Sequence, residues 1–305
     1  MLKEVNENCI AVILVNYNGI NDTLECIKSL EDMMTEVAVI VVDNASKNDE
    51  TKILKSIYPK VNTIRSNENK GFGVGNNIGI RYAMKKGARS VLLLNNDTIV
   101  DKYMLNELLK YECDDTVLVP KMLYYKSKNK IWYGGGRIHK VTGKVEHINF
   151  GKLEDECNDI SRFCTFATGC CMYITTDILE KVGLFSDGYF MYCEDTEFCL
   201  RLLDNKIRIK YVNGAKLWHK IGASSGGEKS DFENYYISRN SMKYIDEHKN
   251  YFWITAKIIV WTKINIKLLL GKMKGNKVWR AYKKALYDYK QKTDGKTDEI
   301  YWQDR

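Results

Sequence analysis

Apolar residues along this chain come in short unbroken runs, each stopping at a cluster of amides, carboxylates and glycines. Cys9 to Val15, Val37 to Val42 and Val91 to Leu94 are such runs. Short continuous apolar stretches predict strands buried on both faces, as in a parallel sheet, where the in-and-out alternation is lost. Helical patterns lie between them. Thr23 to Leu30 places Leu24, Ile27 and Leu30 on one side, with Asn21-Asp22 as its cap, and a second helix runs from about Asp49 to Ile57. Val61 to Arg65 reads as a short third strand, followed by a polar loop from Asn67 to Gly75 and a helix through Tyr82-Ala83-Met84. Strand, polar turn and helix repeat three times before Asp97, the pattern of a parallel sheet with helices on both faces.

Beyond about residue 100 the rhythm changes. A helix near Lys102 to Tyr111 precedes Val117-Leu118-Val119-Pro120, then Trp132-Tyr133-Gly134-Gly135-Gly136 and a polar stretch to about Ser161. Phe163 to Ile174 reads as a strand region broken at Gly169, Gly183 to Tyr192 as a loop, and Glu194 to Asn205 as a helix. Ile207 to Val212 is a strand leading to Trp218-His219. Tyr251 to Leu270 is apolar enough and long enough for a membrane span, but Lys257, Lys263 and Lys267 interrupt it. Each central lysine costs roughly 2.5–3.5 kcal/mol in a bilayer. The stretch therefore reads as an amphipathic helix lying on a membrane or on the main domain, extended by the basic segment Lys272 to Lys292.

Charge sharpens that division. The net charge is +8, yet residues 249–305 hold 14 Lys/Arg against 5 Asp/Glu, a local +9 that leaves residues 1–248 at −1. Two units follow: 1–248 and a basic helical extension, 249–305. A body at −1 lacks the basic face that nucleic-acid binding requires. The nine cysteines form no CxxC pair, and four histidines never reach zinc-ligand spacing with them. Met1-Leu2-Lys3-Glu4-Val5 shows no apolar leader, so the expected location is a reducing, cytoplasmic one.

Four polar strand ends share one rim of such a sheet: Asn16-Tyr17-Asn18, Asp43, the loop Asn69 to Asn77, and Asn95-Asn96-Asp97. Ligands of open α/β sheets bind beyond that rim. Asp97 could hold a hard cation carrying a diphosphate, or Asn95-Asn96-Asp97 could be turn chemistry alone. Asp43 could accept the imide N–H of uracil or thymine, or cap a turn. Gly71 to Gly79 resembles a dinucleotide loop, but Asn76 fills its third glycine position and the loop follows the third strand rather than the first. Glu194-Asp195 opens a helix, where acids favour the macrodipole by ~0.3–1 kcal/mol. Glu197 and Arg201 add an i,i+4 pair.

Several of these segments together resemble the inverting glycosyltransferases of family 2, in particular the bacterial enzymes that add rhamnose and related sugars to cell-surface polysaccharides. They are Val15-Asn16-Tyr17-Asn18-Gly19, Val42-Asp43-Asn44-Ala45-Ser46, Asn69 to Gly79, Leu94-Asn95-Asn96-Asp97-Thr98, Thr168-Gly169, Glu194 to Arg201, Trp218-His219 and Tyr235 to Asn240. They fall in the family's order over residues 8–245 and leave 249–305 outside.

The resemblance implies a GT-A fold, a Rossmann-like mixed sheet with helices on both faces, to which the C-terminal helical extension is added. It implies a dTDP- or UDP-sugar donor held by Asn16, Tyr17, Asn18, Asp43, Asn69, Gly71, Asn76 and Asn96. Asp97 matches the last aspartate of the family's metal motif, with Asn95 where the first would stand. His219 matches a histidine that completes the site in some relatives, and Mg²⁺ or Mn²⁺ is the expected cofactor. Trp132, Gly135, Thr168, Gly169 and Glu194 would face a glycan or lipid-linked acceptor, and Asp195 would be the general base. The extension would meet an anionic membrane surface at the inner face of the cell membrane, form a homodimer or cap the site. The rival expectation is a non-catalytic nucleotide-sugar-binding scaffold, which Asn95 would suit.

Overall fold

The protein is described by a computed structural model covering residues 2–220, 230–275 and 277–297. Its N-terminal half follows the sequence rhythm: β1 (Leu2–Lys3), β2 (Ile10–Asn16), α1 (Ile20–Glu31), β3 (Val37–Asp43), α2 (Glu50–Ile57), β4 (Asn62–Arg65), α3 (Phe72–Lys85) and β5 (Ser90–Asn95). Next come β6 (Thr98–Val100), α4 (Met104–Leu109), β7 (Thr116–Tyr124), β8 (Ile131–Tyr133), β9 (Gly136–Ile138), β10 (Val145–His147), β11 (Arg162–Cys164) and β12 (Cys171–Thr175). The rest is mostly helical: α5 (Thr176–Val182), α6 (Glu194–Asp204), β13 (Arg208–His219), α7 (Asp231–Glu247), α8 (Ile254–Met273) and α9 (Trp279–Gln291).

One mixed sheet runs β1-β3-β2-β5-β12-β7-β13-β11, with β4 beside β3, β6 beside β13 and β8 beside β7. The β4-β3-β2-β5 part is parallel, as the repeating strand–helix pattern predicts. β12 then enters antiparallel between β5 and β7. Every residue of β3 is buried, and so is all of β2 except Val15, which explains why neither strand alternates. Pro120 sits inside β7 without disrupting it, because the β7–β13 register breaks between Val212 and Lys216, directly after the Pro120–Val212 pair.

The structure differs from the sequence expectation at four places. Helix α1 starts at Ile20 behind Gly19, so Asp22 lies in its first turn rather than capping it. The glycine loop is shorter than expected, since everything from Phe72 onward is helix α3. Gly75 and Gly79 serve close packing there: a Cβ would come within 2.9 Å of Val15 and 2.6 Å of Ile13. The polar stretch before Ser161 contains a β9–β10 hairpin, and a further helix, α5, capped by Thr175, follows β12 directly.

The C-terminal helices are tied to the rest at several points. Trp253 donates its backbone N–H to Lys140 and Thr255 its hydroxyl to Val141, both in the loop between β9 and β10. Helix α9 packs on α7: Tyr235 donates to Asp288 at 2.5 Å and Tyr282 to Asn234 at 2.8 Å. Residues 276 and 298–305 of the basic extension lie outside the described residues.

Candidate active site

The polar strand ends, the start of α6 and one side of α9 enclose a cleft of 1080 Å³. Apolar strands stop at this rim because their next residues must turn, and the side chains at the stop are the polar ones. Asp97 follows β5 and His219 ends β13. The β13–β6 pairing sets His219 opposite Thr98, which brings its Nε2 within 3.1 Å of Asp97 Oδ1. Burial pushes the Asp97 carboxyl up, but the His219 hydrogen bond and charge, with Lys220 nearby, outweigh it and hold it below the ordinary range. Trp132 packs edge-on against His219 and His147, with ring centroids 4.6 and 4.9 Å away.

The second feature is the start of α6. Tyr192 (φ 63°) and Cys193 (φ 69°) are consecutive left-handed residues without being glycine. Such strain costs of order 1–3 kcal/mol per residue and persists only where its surroundings enforce it. The enforcing group is Asn240 on α7, whose amide donates to the carbonyls of Met191 (3.0 Å) and Tyr192 (2.7 Å). This bent entry sets Glu194 and Asp195 on the cleft wall. Asp195 accepts from the backbone N–H groups of Gly169 (3.0 Å) and Thr196 (2.7 Å). Glu194 is buried, and its Oε2 has no partner among the described residues.

Burial raises both carboxyls, and the Asp195 charge raises Glu194 further. Two adjacent buried acids cannot both ionise cheaply, so the pair holds a proton. Asp195 has two N–H donors stabilising its anion and Glu194 has an orphaned oxygen. The proton belongs on Glu194, which leaves Asp195 as the carboxylate.

Of the residues singled out in the sequence, Tyr17, Asn18, Asn69, Asn96, Asp97, Trp132, Thr168, Gly169, Glu194, Asp195 and His219 all line the cleft. Five do not. Asp43 is fully buried: Oδ1 accepts from Asn16 and Ser46, and Oδ2 from Arg65 at 3.0 Å. It is not among the residues lining the cleft, and it anchors the turn after β3. Asn16 is buried beside it, donating to Glu50 at 2.7 Å and accepting from Thr23 at 2.8 Å. Asn76 donates back to Phe72 within α3. Gly71 (φ 97°) abuts the Phe190 backbone, where a Cβ would meet the carbonyl oxygen at 1.8 Å. Gly135 packs on Cys164 and Tyr211.

Sequence reasoning missed Asn44, Phe72, His147, Phe190, Tyr192 and Tyr236, and the α9 side of the cleft with Lys277, Arg280 and Lys284. Asn44 stood within a quoted segment, and its amide bridges Asn69 (3.0 Å) and Gly71 (3.1 Å). The α9 residues carried no signal beyond charge.

Asp97 and His219 could hold a divalent ion, although no group of three or more His, Cys, Asp or Glu side chains that could do so occurs among the described residues. Two side chains suit an ion whose remaining positions go to water and a diphosphate, as Mg²⁺ commonly arranges. Asn95 lines the same cleft, and its buried Oδ1 has no partner among the described residues. The donor set therefore fits, provided the ligand completes it.

Residues 11–183 match the model of glycosyl transferase family 2. The chain belongs to that family. This family 2 transferase is 25% identical over 288 residues to a dTDP-rhamnosyl transferase of Shigella flexneri, covering 90% of this chain and 92% of that one. It is 27% identical over 277 residues to the low-salt glycan biosynthesis hexosyltransferase of Haloferax volcanii, covering 86% and 85%. Among solved structures it resembles S. aureus TarS in complex with UDP-GlcNAc (TM-score 0.59, 18% identity, 96% and 82% covered). It also resembles GalNAc-T7 with UDP, GalNAc and Mn²⁺ (TM-score 0.61, 15% identity), covering 80% of this chain and 50% of that one. The fold of this family 2 transferase is GT-A.

Proposed function

We propose that the protein is an inverting, metal-assisted transferase that moves a hexose, rhamnose or a similar sugar, from a dTDP- or UDP-sugar to a hydroxyl of a cell-surface glycan or lipid-linked acceptor. The observation that carries this reading is the Asp195–Glu194 pair on the wall of the cleft that also holds Asp97 and His219. In this reading residues 1–248 supply the donor site and the chemistry, and 249–305 add one wall and contact a membrane surface or a second copy. The donor nucleoside lies along Tyr17, Asn18, Asn44 and Asn69, with Asp43 and Asn16 fixing that turn from behind.

The acceptor hydroxyl attacks the anomeric carbon on the face opposite the diphosphate. Asp195 takes the hydroxyl proton as the new C–O bond forms and the bond to the diphosphate oxygen breaks. The Gly169 and Thr196 N–H groups hold Asp195 in line, and neutral Glu194 avoids a second negative charge beside it. Asp97 and His219 would hold Mg²⁺ or Mn²⁺, whose charge offsets that of the departing diphosphate. The dTDP-rhamnosyl transferase relative supports the donor class. The Mn²⁺ in the GalNAc-T7 complex supports the ion.

A thermal-shift panel of dTDP- and UDP-sugars, with and without Mg²⁺ and Mn²⁺, tests the reading. A bound donor at about 100 times its Kd adds about 2.7 kcal/mol. A shift that needs both sugar nucleotide and metal is expected; no shift with any pyrimidine nucleotide overturns the donor assignment.

A further inference from the structure

Helix α8 is apolar on both of its long faces, and the fold covers only one. Ala256, Ile264 and Gly271 are buried. At about 100° per residue, Ile254, Ile258, Trp261, Ile266, Leu269 and Met273 fall on the opposite side, and all six are exposed, Ile254 at 73% and Met273 at 82%. Such a face is wider than the stripe a surface helix turns to its own core. Contiguous exposed apolar surface of this kind marks an interaction site.

Charge selects the occupant. The sequence from 249 to 287 contains no Asp or Glu, while Lys263, Lys272, Lys274 and Lys277 are exposed along and beyond the helix. A two-fold contact between copies sets one patch against itself. Here it would set lysines near lysines with no acid on either helix to receive them. An anionic headgroup layer receives them directly, and Trp253 and Trp261, both exposed, are residues favoured at that depth. No helix among the described residues is long and apolar enough to cross a membrane.

We propose that α8 lies in the interfacial layer of an anionic lipid bilayer, its Ile258–Trp261–Leu269 face among the acyl chains and Lys263, Lys272 and Lys274 at the headgroups. Residue Lys277, four positions past the end of α8, lines the cleft. Docking therefore brings the cleft rim to the headgroup layer. That consequence, a lipid-borne acceptor entering from the membrane side, rests on the transferase reading; the docking itself does not.

Flotation of the full chain with vesicles of phosphatidylcholine alone, and of phosphatidylcholine with phosphatidylglycerol, tests the docking. Binding to the phosphatidylglycerol vesicles is expected. The double variant Ile258→Ser/Leu269→Ser, whose sites face solvent and whose fold is checked by circular dichroism, should lower partitioning by about 100-fold. Lys263→Gln/Lys272→Gln should lower it by about tenfold or more. Absence of flotation overturns the proposal, as does binding that the apolar double variant leaves unchanged. A dimer in sedimentation that the same double variant dissolves, without vesicle binding, assigns the face to a second copy instead. The donor thermal shift is read separately, so failure of the transferase reading would leave the flotation result standing.

Discussion

Asp195 and Glu194 differ by one position and by what the backbone gives them. Asp195→Asn keeps the size and, with its single amide oxygen, one of the two N–H contacts from Gly169 and Thr196, but cannot take a proton. Transfer should fall by about 10²–10⁴ with donor affinity nearly unchanged, read from single-turnover rates and calorimetry. Glu194→Gln should cost much less, because Glu194 is the neutral member. Its signature is in stability. A carboxyl whose pKa is higher folded than unfolded binds more protons folded, so its contribution weakens as pH rises above the unfolded value. The wild type should therefore lose melting temperature more steeply than Glu194→Gln between about pH 5 and pH 8. Parallel curves would put the shared proton on Asp195 and weaken its assignment as base. Asp97→Ala should remove both the divalent-metal dependence and most donor binding. Full metal-stimulated turnover in that variant would show that the ion sits elsewhere.

At the scale of elements, the entry to α6 depends on α7. Asn240→Ala leaves the Met191 and Tyr192 carbonyls without their donor, a loss of about 1–3 kcal/mol for buried groups. It also frees two left-handed residues to relax. The expected result is a lower melting temperature and slower transfer with little change in donor affinity. Normal kcat in a destabilised Asn240→Ala would make the clamp purely structural. Gly71 makes a similar contact from the other side: its positive φ and its approach to Phe190 leave no room for a Cβ. Gly71→Ala should destabilise by at least the ~1–2 kcal/mol of a left-handed L-residue, measured by urea denaturation. A smaller loss would mean that the Phe190 loop gives way easily.

For the molecule as a whole, the burial pattern predicts an order of opening. β2, β3 and β5 are buried, paired on both edges and packed under α3, so their amides should exchange only with global unfolding. Helix α8, held along one face, should exchange orders of magnitude faster in water and slow on anionic vesicles. Uniform protection across β2 and α8 in water would contradict this order.

Much of this was legible in residues alone. The runs at Cys9, Val37 and Val91 had to be central strands, because only strands covered on both faces dispense with alternation. Their polar ends then fell on one rim, since parallel strands all end on the same side. The acids opening α6 and the uneven charge of the last 57 residues were equally local facts. Tertiary structure decided the rest. Nothing in Asp43 says that Arg65 and Ser46 occupy its oxygens, and nothing in Asp97 says that β13 delivers His219 to 3.1 Å. Such contacts join residues distant in sequence through strand register, which no local pattern encodes. The sidedness of α8 is the same kind of fact. Apolar residues occur all round it among Lys257, Lys263 and Lys267, and only packing against the rest of the chain determines which apolar face is left for another surface.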